Sequence, residues 1–175
     1  MAVVGSSHKV EHCKELGADF VIDKSKENLW EKGEEYSAKG YTAIFDANGV
    51  ETLKDSYNHL DACGSLVVYG FHSNLPKATD LNPVNWIKII ARMARMGGFD
   101  PMDLTLNSKS ISGFNLSFFE GEHDIIGTYF DKINDWVEDG TITVLEPTIF
   151  DISEVREAHA SIQSGTTKGK LVVKT

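Results

Sequence analysis

Cysteine is scarce. The 175 residues hold only Cys13 and Cys63, and no Cys-x-x-Cys pair occurs. Free thiols in a reducing compartment follow, with a cytoplasmic location as the expectation. Basic residues are outnumbered, 17 Lys and Arg against 26 Asp and Glu, for a formal net charge of −9. That balance argues against a nucleic-acid surface, which needs a basic patch, but it leaves room for a local basic pocket that takes a phosphate. No apolar run approaches the roughly 20 residues that span a bilayer. The first residues lack the basic region and long apolar segment of a secretory leader. Internal repeats and low-complexity segments are missing, as is a Gly-x-Ser-x-Gly elbow. The histidines, His8, His12, His59, His72, His123 and His159, show no metal-ligand spacing. His8 and His12 are one helical turn apart, but such a pair on an exposed helix reads as surface. Also missing is the G-x-G-x-x-G turn that cradles a pyrophosphate at a helix N-terminus.

What the chain does contain is an alternation of short apolar runs and amphipathic stretches, centred on residues 41–71. Residues 41–46 (YTAIFD) are a short β-rich run and residues 47–50 (ANGV) a turn. Val50, Leu53, Tyr57 and Leu60 then fall at helical spacing, and residues 64–70 (GSLVVYG) are a second apolar run bounded by glycines. Two strands apolar on both faces and bridged by a helix make a parallel βαβ unit. Ligands of open α/β sheets lie beyond the carboxyl ends of the strands, which points to residues 46–49 and 70–73.

On the N-terminal side, residues 2–4 form a strand. Ser7 caps a helix over 8–16 with Val10, Cys13 and Leu16 on one face and Gly17 at its end. A strand over 19–22 and a helix over 28–37, with Leu29, Trp30 and Tyr36 apolar, follow. On the C-terminal side a polar loop covers 71–81, and Asn82-Pro83 opens a helix whose Trp86, Ile89, Ile90 and Met93 share a face. Residues 95–107 read as a long loop, of the kind that is often functional, and 110–116 as a strand. The clearest helix is 123–139, with Ile126, Tyr129, Phe130, Ile133, Trp136 and Val137 at helical spacing and Gly140 at its end. Short β stretches at 141–144 and 148–150, a helix over 153–163 burying Val155, Ala158 and Ile162, and a strand at 170–174 complete the chain. This alternation predicts an α/β fold with a doubly wound parallel sheet, as one domain over 1–175.

The order of these pieces resembles the cofactor-binding half of the medium-chain dehydrogenase/reductases. Within them it is most similar to the zinc-free quinone oxidoreductase branch, which includes the vesicle-membrane-protein type. The residues that carry the resemblance are 3–9 (VVGSSHK), 16–23 (LGADFVID), 45–49 (FDANG) and 64–70 (GSLVVYG). Most recognisable is 150–159 (FDISEVREAH) followed by 165–173 (GTTKGKLVV). The resemblance implies a Rossmann-like sheet lacking the first strand, the glycine-rich turn and the first helix, and a chain without the family's N-terminal substrate domain. In the usual strand order 3-2-1-4-5-6 the first strand is central. Its two neighbours, residues 2–4 and 42–46, would then face a gap, and unpaired buried backbone is costly. Two repairs are expected: the strands pair directly, or another copy of the chain fills the gap.

The resemblance also implies a cofactor. The second strand of such a sheet ends at the adenosine ribose, with an acid for NAD or a basic or hydroxyl group for the 2′-phosphate of NADP. Here it ends in residues 5–9 (GSSHK), with no acid before Glu11. Ser6, Ser7 and Lys9 match the phosphate positions, and Lys24 stands where some relatives place a tyrosine, so NADPH is the expected cofactor. The same residues read equally well without a ligand, Ser7 as a helix cap and Lys9 as a solvated lysine. Asn48 and Gly49, then Tyr69, Gly70 and Phe71, match stretches that wall the cofactor, with ordinary turn chemistry as the alternative. Phe114 and Asn115 match a segment near the nicotinamide, and Lys168 a closing segment.

No side chain is read as catalytic. Asp46 is a structural acid at a strand end, and zinc-free relatives pass a hydride mainly by positioning. The implied reaction of a complete enzyme is hydride transfer from NADPH to a quinone or an activated alkene or ketone, with this chain inactive alone. The alternative is a non-catalytic module that keeps the fold for oligomerisation or partner binding. Residues 110–116 would then pair across a homodimer, and the 95–107 loop would dock on a membrane or partner. A third reading is an expressed domain fragment of a larger enzyme.

Overall fold

The computed structural model describes residues 1–71, 87, 90, 91, 98–118 and 121–175. Strand β1 (Ala2–Val4) leads through a 3-10 turn (Ser7–Lys9) and α1 (Val10–Glu15) to β2 (Val21–Asp23). Helix α2 (Leu29–Tyr36), β3 (Tyr41–Asp46), α3 (Leu53–Asn58) and β4 (Leu60–Val68) follow. Beyond them come α4 (Pro101–Asn107), β5 (Ser110–Gly113), α5 (His123–Glu138), β6 (Thr148–Asp151), α6 (Val155–Ser164) and β7 (Leu171–Lys174). Every strand pairing is parallel, so each pair needs a crossover. The expected α/β class holds, and the described strands form three sheets, β1–β2, β3–β4–β5 and β6–β7.

The direct pairing of residues 2–4 with 42–46 is therefore not made. Where the two strands start they meet through side chains: the Tyr41 hydroxyl donates to the Gly33 carbonyl at 2.7 Å and lies 3.2 Å from Met1 Sδ.

The core lies under the middle sheet. Leu53 and Tyr57 of α3 and Leu60 and Leu66 of β4 are buried together, with Ile44, Val68, Phe99, Leu104 and Ile111 packed against them. The Tyr57 hydroxyl donates to Asp103 Oδ2 at 2.6 Å. Burial and that carboxylate push the phenol pKa up to about 12. Strand β4 starts at Leu60, earlier than the pattern predicts, so Leu60 is a strand residue and not the last apolar residue of the helix. The pairing jumps from Tyr41↔Leu60 to Ala43↔Ser65, and Cys63 takes a φ of 62° within that bulge. Gly64 thus sits inside the strand, where an added methyl would meet the Asp61 and Tyr41 carbonyls at 2.8 Å.

Several C-terminal expectations change. Within the expected 95–107 loop, residues 101–107 are helical: Asp100 caps α4 by accepting from the Met102 amide at 2.9 Å, and Pro101 occupies the first turn. Residues 141–144 are not a strand, and β5 stops at Gly113, before Phe114. In α6 Ala158 is buried, but Val155 and Ile162 are exposed. Helix α5 forms over the expected span, yet none of its residues is buried. Of the helix expected to open at Asn82-Pro83, Ile87, Ile90 and Ala91 are described and are helical; Trp86, Ile89 and Met93 lie outside the described residues, as do His72 and Ser73.

Candidate functional site

The expected cofactor residues fall on strand ends that open to one rim. At the end of β1, Ser7 Oγ donates to Asp23 Oδ2 at 2.5 Å, and the amide and hydroxyl of Ser25 donate to Asp23 Oδ1 at 3.0 and 2.6 Å. Asp23 is buried at the end of β2, so it pins the turn carrying Ser6, Ser7 and Lys9 to the neighbouring strand. Ser7 does not cap a helix: it lies inside the 3-10 turn, and its hydroxyl donates to Asp23. The capping position of the 3-10 turn belongs to Ser6, which makes no side-chain bond there. Lys24 folds back over β1, and a methyl on Gly5 would meet its Cε at 3.8 Å. His8 Nε2 lies 2.9 Å from the Thr166 carbonyl, which brings the loop carrying Lys168 to the same turn.

The hydrogen bonds from Ser25 and then Ser7 hold the Asp23 carboxyl below its ordinary pKa of 3.8. A group whose folded pKa is depressed stabilises the fold above its unfolded pKa, and that contribution is lost as pH falls through the folded value. The wild type is therefore expected to lose melting temperature faster than Asp23→Asn as the buffer is taken from neutral to below the ordinary aspartate range. Parallel slopes for the two proteins in thermal melts across that range would refute this.

The β3 and β4 ends form the second part of the rim. Asp46 is buried; its Oδ1 accepts from the Asn48 and Gly49 amides at 2.8 and 3.1 Å, and its Oδ2 from the hydroxyls of Thr52 and Ser56 at 2.7 and 2.8 Å. It is the structural acid expected from the sequence, holding the β3 turn onto the start of α3. Gly49 has a φ of 88°, and a methyl there would meet Phe71 Cδ1 at 2.7 Å. A methyl on Gly70 would meet the Ala47 carbonyl at 2.8 Å, so the two strand-end loops cross in contact.

Two cavities open along this rim. One, of about 570 Å³, is lined by Gly5, Lys24, Asp46, Asn48 and Tyr69, and it runs down between β1 and β3 to Trp30 and His59. The other, of about 530 Å³, is lined by Phe71, Phe99, Gly113, Phe114 and Asn115. Tyr69 and Phe114 join them, stacked at 6.4 Å between ring centroids. Lys24, Asn48 and Tyr69 thus share one cavity, and Phe71, Phe114 and Asn115 the next. Ser6, Ser7, Lys9 and Lys168 line neither but stand beside the first.

This is the arrangement of a sheet that holds its ligand at the strand ends, and the sequence profile of the zinc-binding dehydrogenases matches residues 16–173. The chain belongs to the zinc-binding dehydrogenase family. That family lies in the medium-chain dehydrogenase/reductase superfamily, of which the chain represents the cofactor-binding half. The "Probable quinone oxidoreductase" of Leishmania amazonensis is 25% identical over 170 residues, covering 96% of this chain and 46% of the relative. The "Synaptic vesicle membrane protein VAT-1 homolog" of Danio rerio is 21% identical over 170 residues, covering 97% of this chain and 34% of that one. A solved mycobacterial structure complexed with NADPH superposes with a TM-score of 0.68 at 19% identity, over 99% of this chain and 48% of its own. The chain therefore spans less than half the length of these relatives.

The family name carries a metal, but among the described residues no three His, Cys, Asp or Glu side chains gather as ligands. The described residues do not fit a zinc site. Among them, no helix is long and apolar enough to cross a membrane.

Sequence reasoning missed two groups. Asp23 carried a local signal, since Ser25 two residues on gives it both amide and hydroxyl, but the bond from Ser7 across to β1 had none. His59 lies tilted against Trp30, with ring centroids 4.8 Å apart, and lines the first cavity. Its Nδ1 lies 2.7 Å from the Asp55 carbonyl, while its buried Nε2 has Glu34 Oε1 at 3.4 Å but makes no hydrogen bond.

Proposed function

We propose that this zinc-binding dehydrogenase family member supplies the NADPH-binding part of a quinone oxidoreductase-like enzyme. The cofactor would deliver a hydride to a quinone or an activated alkene or ketone. The observation that carries this reading is the pair of cations at the end of β1 and β2. Lys24 lies over Gly5, and Lys9 sits on the turn that Asp23 pins. Asp23 is the acid nearest that turn in the pairing of the two strands, and it is spent on serine donors, which leaves the rim suited to a phosphate dianion rather than a ribose hydroxyl. Gly49 and Gly70 let backbone approach a ligand closely, and the stacked Tyr69 and Phe114 give it an apolar wall. The NADPH-bound mycobacterial relative in fold adds support.

Positioning, not acid–base chemistry, is the role of these residues. The chain alone is proposed to bind cofactor without turnover, because hydride transfer needs the acceptor held against the nicotinamide.

Calorimetric titration of the wild type, Lys9→Ala and Lys24→Ala with NADPH and NADH tests this reading. NADPH is expected to bind more tightly, and each lysine variant to weaken NADPH about tenfold, which is about 1.4 kcal/mol, with NADH unaffected. Equal affinities for the two nucleotides would remove the 2′-phosphate site. No binding of either at millimolar concentration would remove the cofactor role altogether.

A further inference from the structure

We propose that His8 is a positioning residue for the cofactor. Its ring latches the loop that carries Lys168 onto the turn that carries Lys9, so that both cations meet the 2′-phosphate of NADPH. The inference rests on the nucleotide reading above and deepens it.

Three observations carry it. First, His8 Nε2 lies 2.9 Å from the Thr166 carbonyl oxygen, a contact between positions 158 residues apart. A carbonyl oxygen only accepts, so the ring nitrogen carries the hydrogen and donates it. Second, both ends of the contact are held from behind. His8 sits inside the 3-10 turn between Ser7 and Lys9, and Ser7 is bonded to the buried Asp23. Thr166 is set by Ser164, whose hydroxyl accepts from the Thr166 amide at 3.1 Å and lies 2.7 Å from its Oγ1. Ser164 ends α6, and its hydroxyl donates to the Ser161 carbonyl at 2.6 Å. The latch therefore joins two shaped segments. Third, each segment carries a cation beside the latch, Lys9 next to His8 and Lys168 two residues beyond Thr166.

Reach and charge decide what that juxtaposition does. Two residues of extended chain span about 7 Å, and a lysine bears its ammonium on a flexible four-carbon stem. Lys168 is thus within reach of an anion bound at the Lys9 turn. The loop runs over residues 165–170, between the end of α6 and the start of β7, and the latch grips it near its beginning. Holding the loop in place before the ligand arrives removes part of the ordering cost from binding. A 2′-phosphate is doubly negative, whereas NADH offers an uncharged hydroxyl at the same place, so each cation brought to the rim favours NADPH. The chain as a whole carries a net charge of −9, so a phosphate site has to be assembled locally from cations on separate segments.

The size of the effect follows from the bond. A hydrogen bond of this kind shifts an equilibrium by a factor of about two to ten. That shift changes the fraction of chains with the loop in place, and apparent affinity scales with the fraction. The Thr166 partner is a backbone carbonyl, so His8 is the side of the latch that substitution can remove.

The test titrates the full chain calorimetrically with NADPH and NADH, as wild type, His8→Ala, His8→Gln, Lys168→Ala and the His8→Ala/Lys168→Ala double variant. His8→Ala is expected to weaken NADPH about threefold and to leave NADH unchanged. His8→Gln should recover most of the loss, because its side-chain amide also donates to a carbonyl. Lys168→Ala should weaken NADPH less in the His8→Ala background than in wild type, since the two act through one loop. Amide exchange supplies a second readout: NADPH should slow exchange over residues 165–170 in wild type and His8→Gln, and much less in His8→Ala. The inference is overturned by wild-type NADPH affinity in His8→Ala, by equal weakening of both nucleotides, by a glutamine variant as weak as the alanine one, or by losses that multiply independently in the double variant. If Lys9→Ala and Lys24→Ala weaken NADPH while His8→Ala does not, the latch alone fails and the nucleotide reading stands. If the wild type binds neither nucleotide, or both equally, the reading fails and the latch falls with it.

Discussion

Leu66→Ala is expected to lower the unfolding free energy by about 3 kcal/mol. Leu66 is fully buried at the centre of β4. It lies in register with Ile44 on one side and Ile111 on the other, and it packs with Leu53, Tyr57 and Leu60. Removing its isobutyl group leaves a void that strands hydrogen-bonded on both sides cannot close. The middle sheet carries this buried cluster, apart from the buried Val4, Val21 and Ile22 of β1 and β2. Urea unfolding followed by circular dichroism gives the value, with the slope expected to stay near that of the wild type. Leu66→Met conserves volume and should cost less than about 1.5 kcal/mol. A loss below about 1 kcal/mol for the alanine variant would mean that the site collapses freely and that Leu66 is not the keystone described.

Asp46→Ala is expected to be nearly as severe, costing about 2–3 kcal/mol through donors left without an acceptor. Two are backbone amides, Asn48 and Gly49, and two are hydroxyls, Thr52 and Ser56. The discriminating variant is Asp46→Asn. Its amide oxygen replaces Oδ1 toward the two N–H groups, and its NH₂ donates to the two hydroxyls, which reverse their roles. Asparagine should therefore restore about half or more of the stability lost in the alanine variant. If both variants lose the same stability in urea titrations, the negative charge matters and the hydrogen-bond count does not. The same turn carries Asn48 and Gly49 at the rim, so Asp46→Ala should also weaken nucleotide binding, while Asp46→Asn preserves it.

Local chemistry was legible from residue order alone. YTAIFD at 41–46 is apolar and β-branched enough to be a strand in any context, and its bounds match β3. Helix α5 over 123–138 follows a long 3.6-residue period. Asp46 was readable as a strand-end acid because an acid followed by Asn-Gly can bond its own turn. The strand-end positions of the candidate site followed from the βαβ pattern, which places loops 46–49 and 70–73 on one side of a parallel sheet. Other local signals were present but outweighed. Asp100-Pro101 is a helix start, yet the glycines before it favoured a loop. Leu60 fits a helical period as well as a strand, and only the bulge at Cys63 and Gly64 shows which applies.

By itself, then, the sequence determined the α/β class, most of the elements and the end of the sheet where a ligand would lie. Those properties depend on periodicity and on the handedness of neighbouring residues, which are local. The tertiary structure alone decided that β1 and β3 stay apart, that Ser7 serves Asp23 instead of a helix, and that His59 keeps a buried nitrogen without a hydrogen bond. It also left the apolar stripe of α5 exposed. Each of these depends on distances between segments remote in the chain, which residue order alone does not carry.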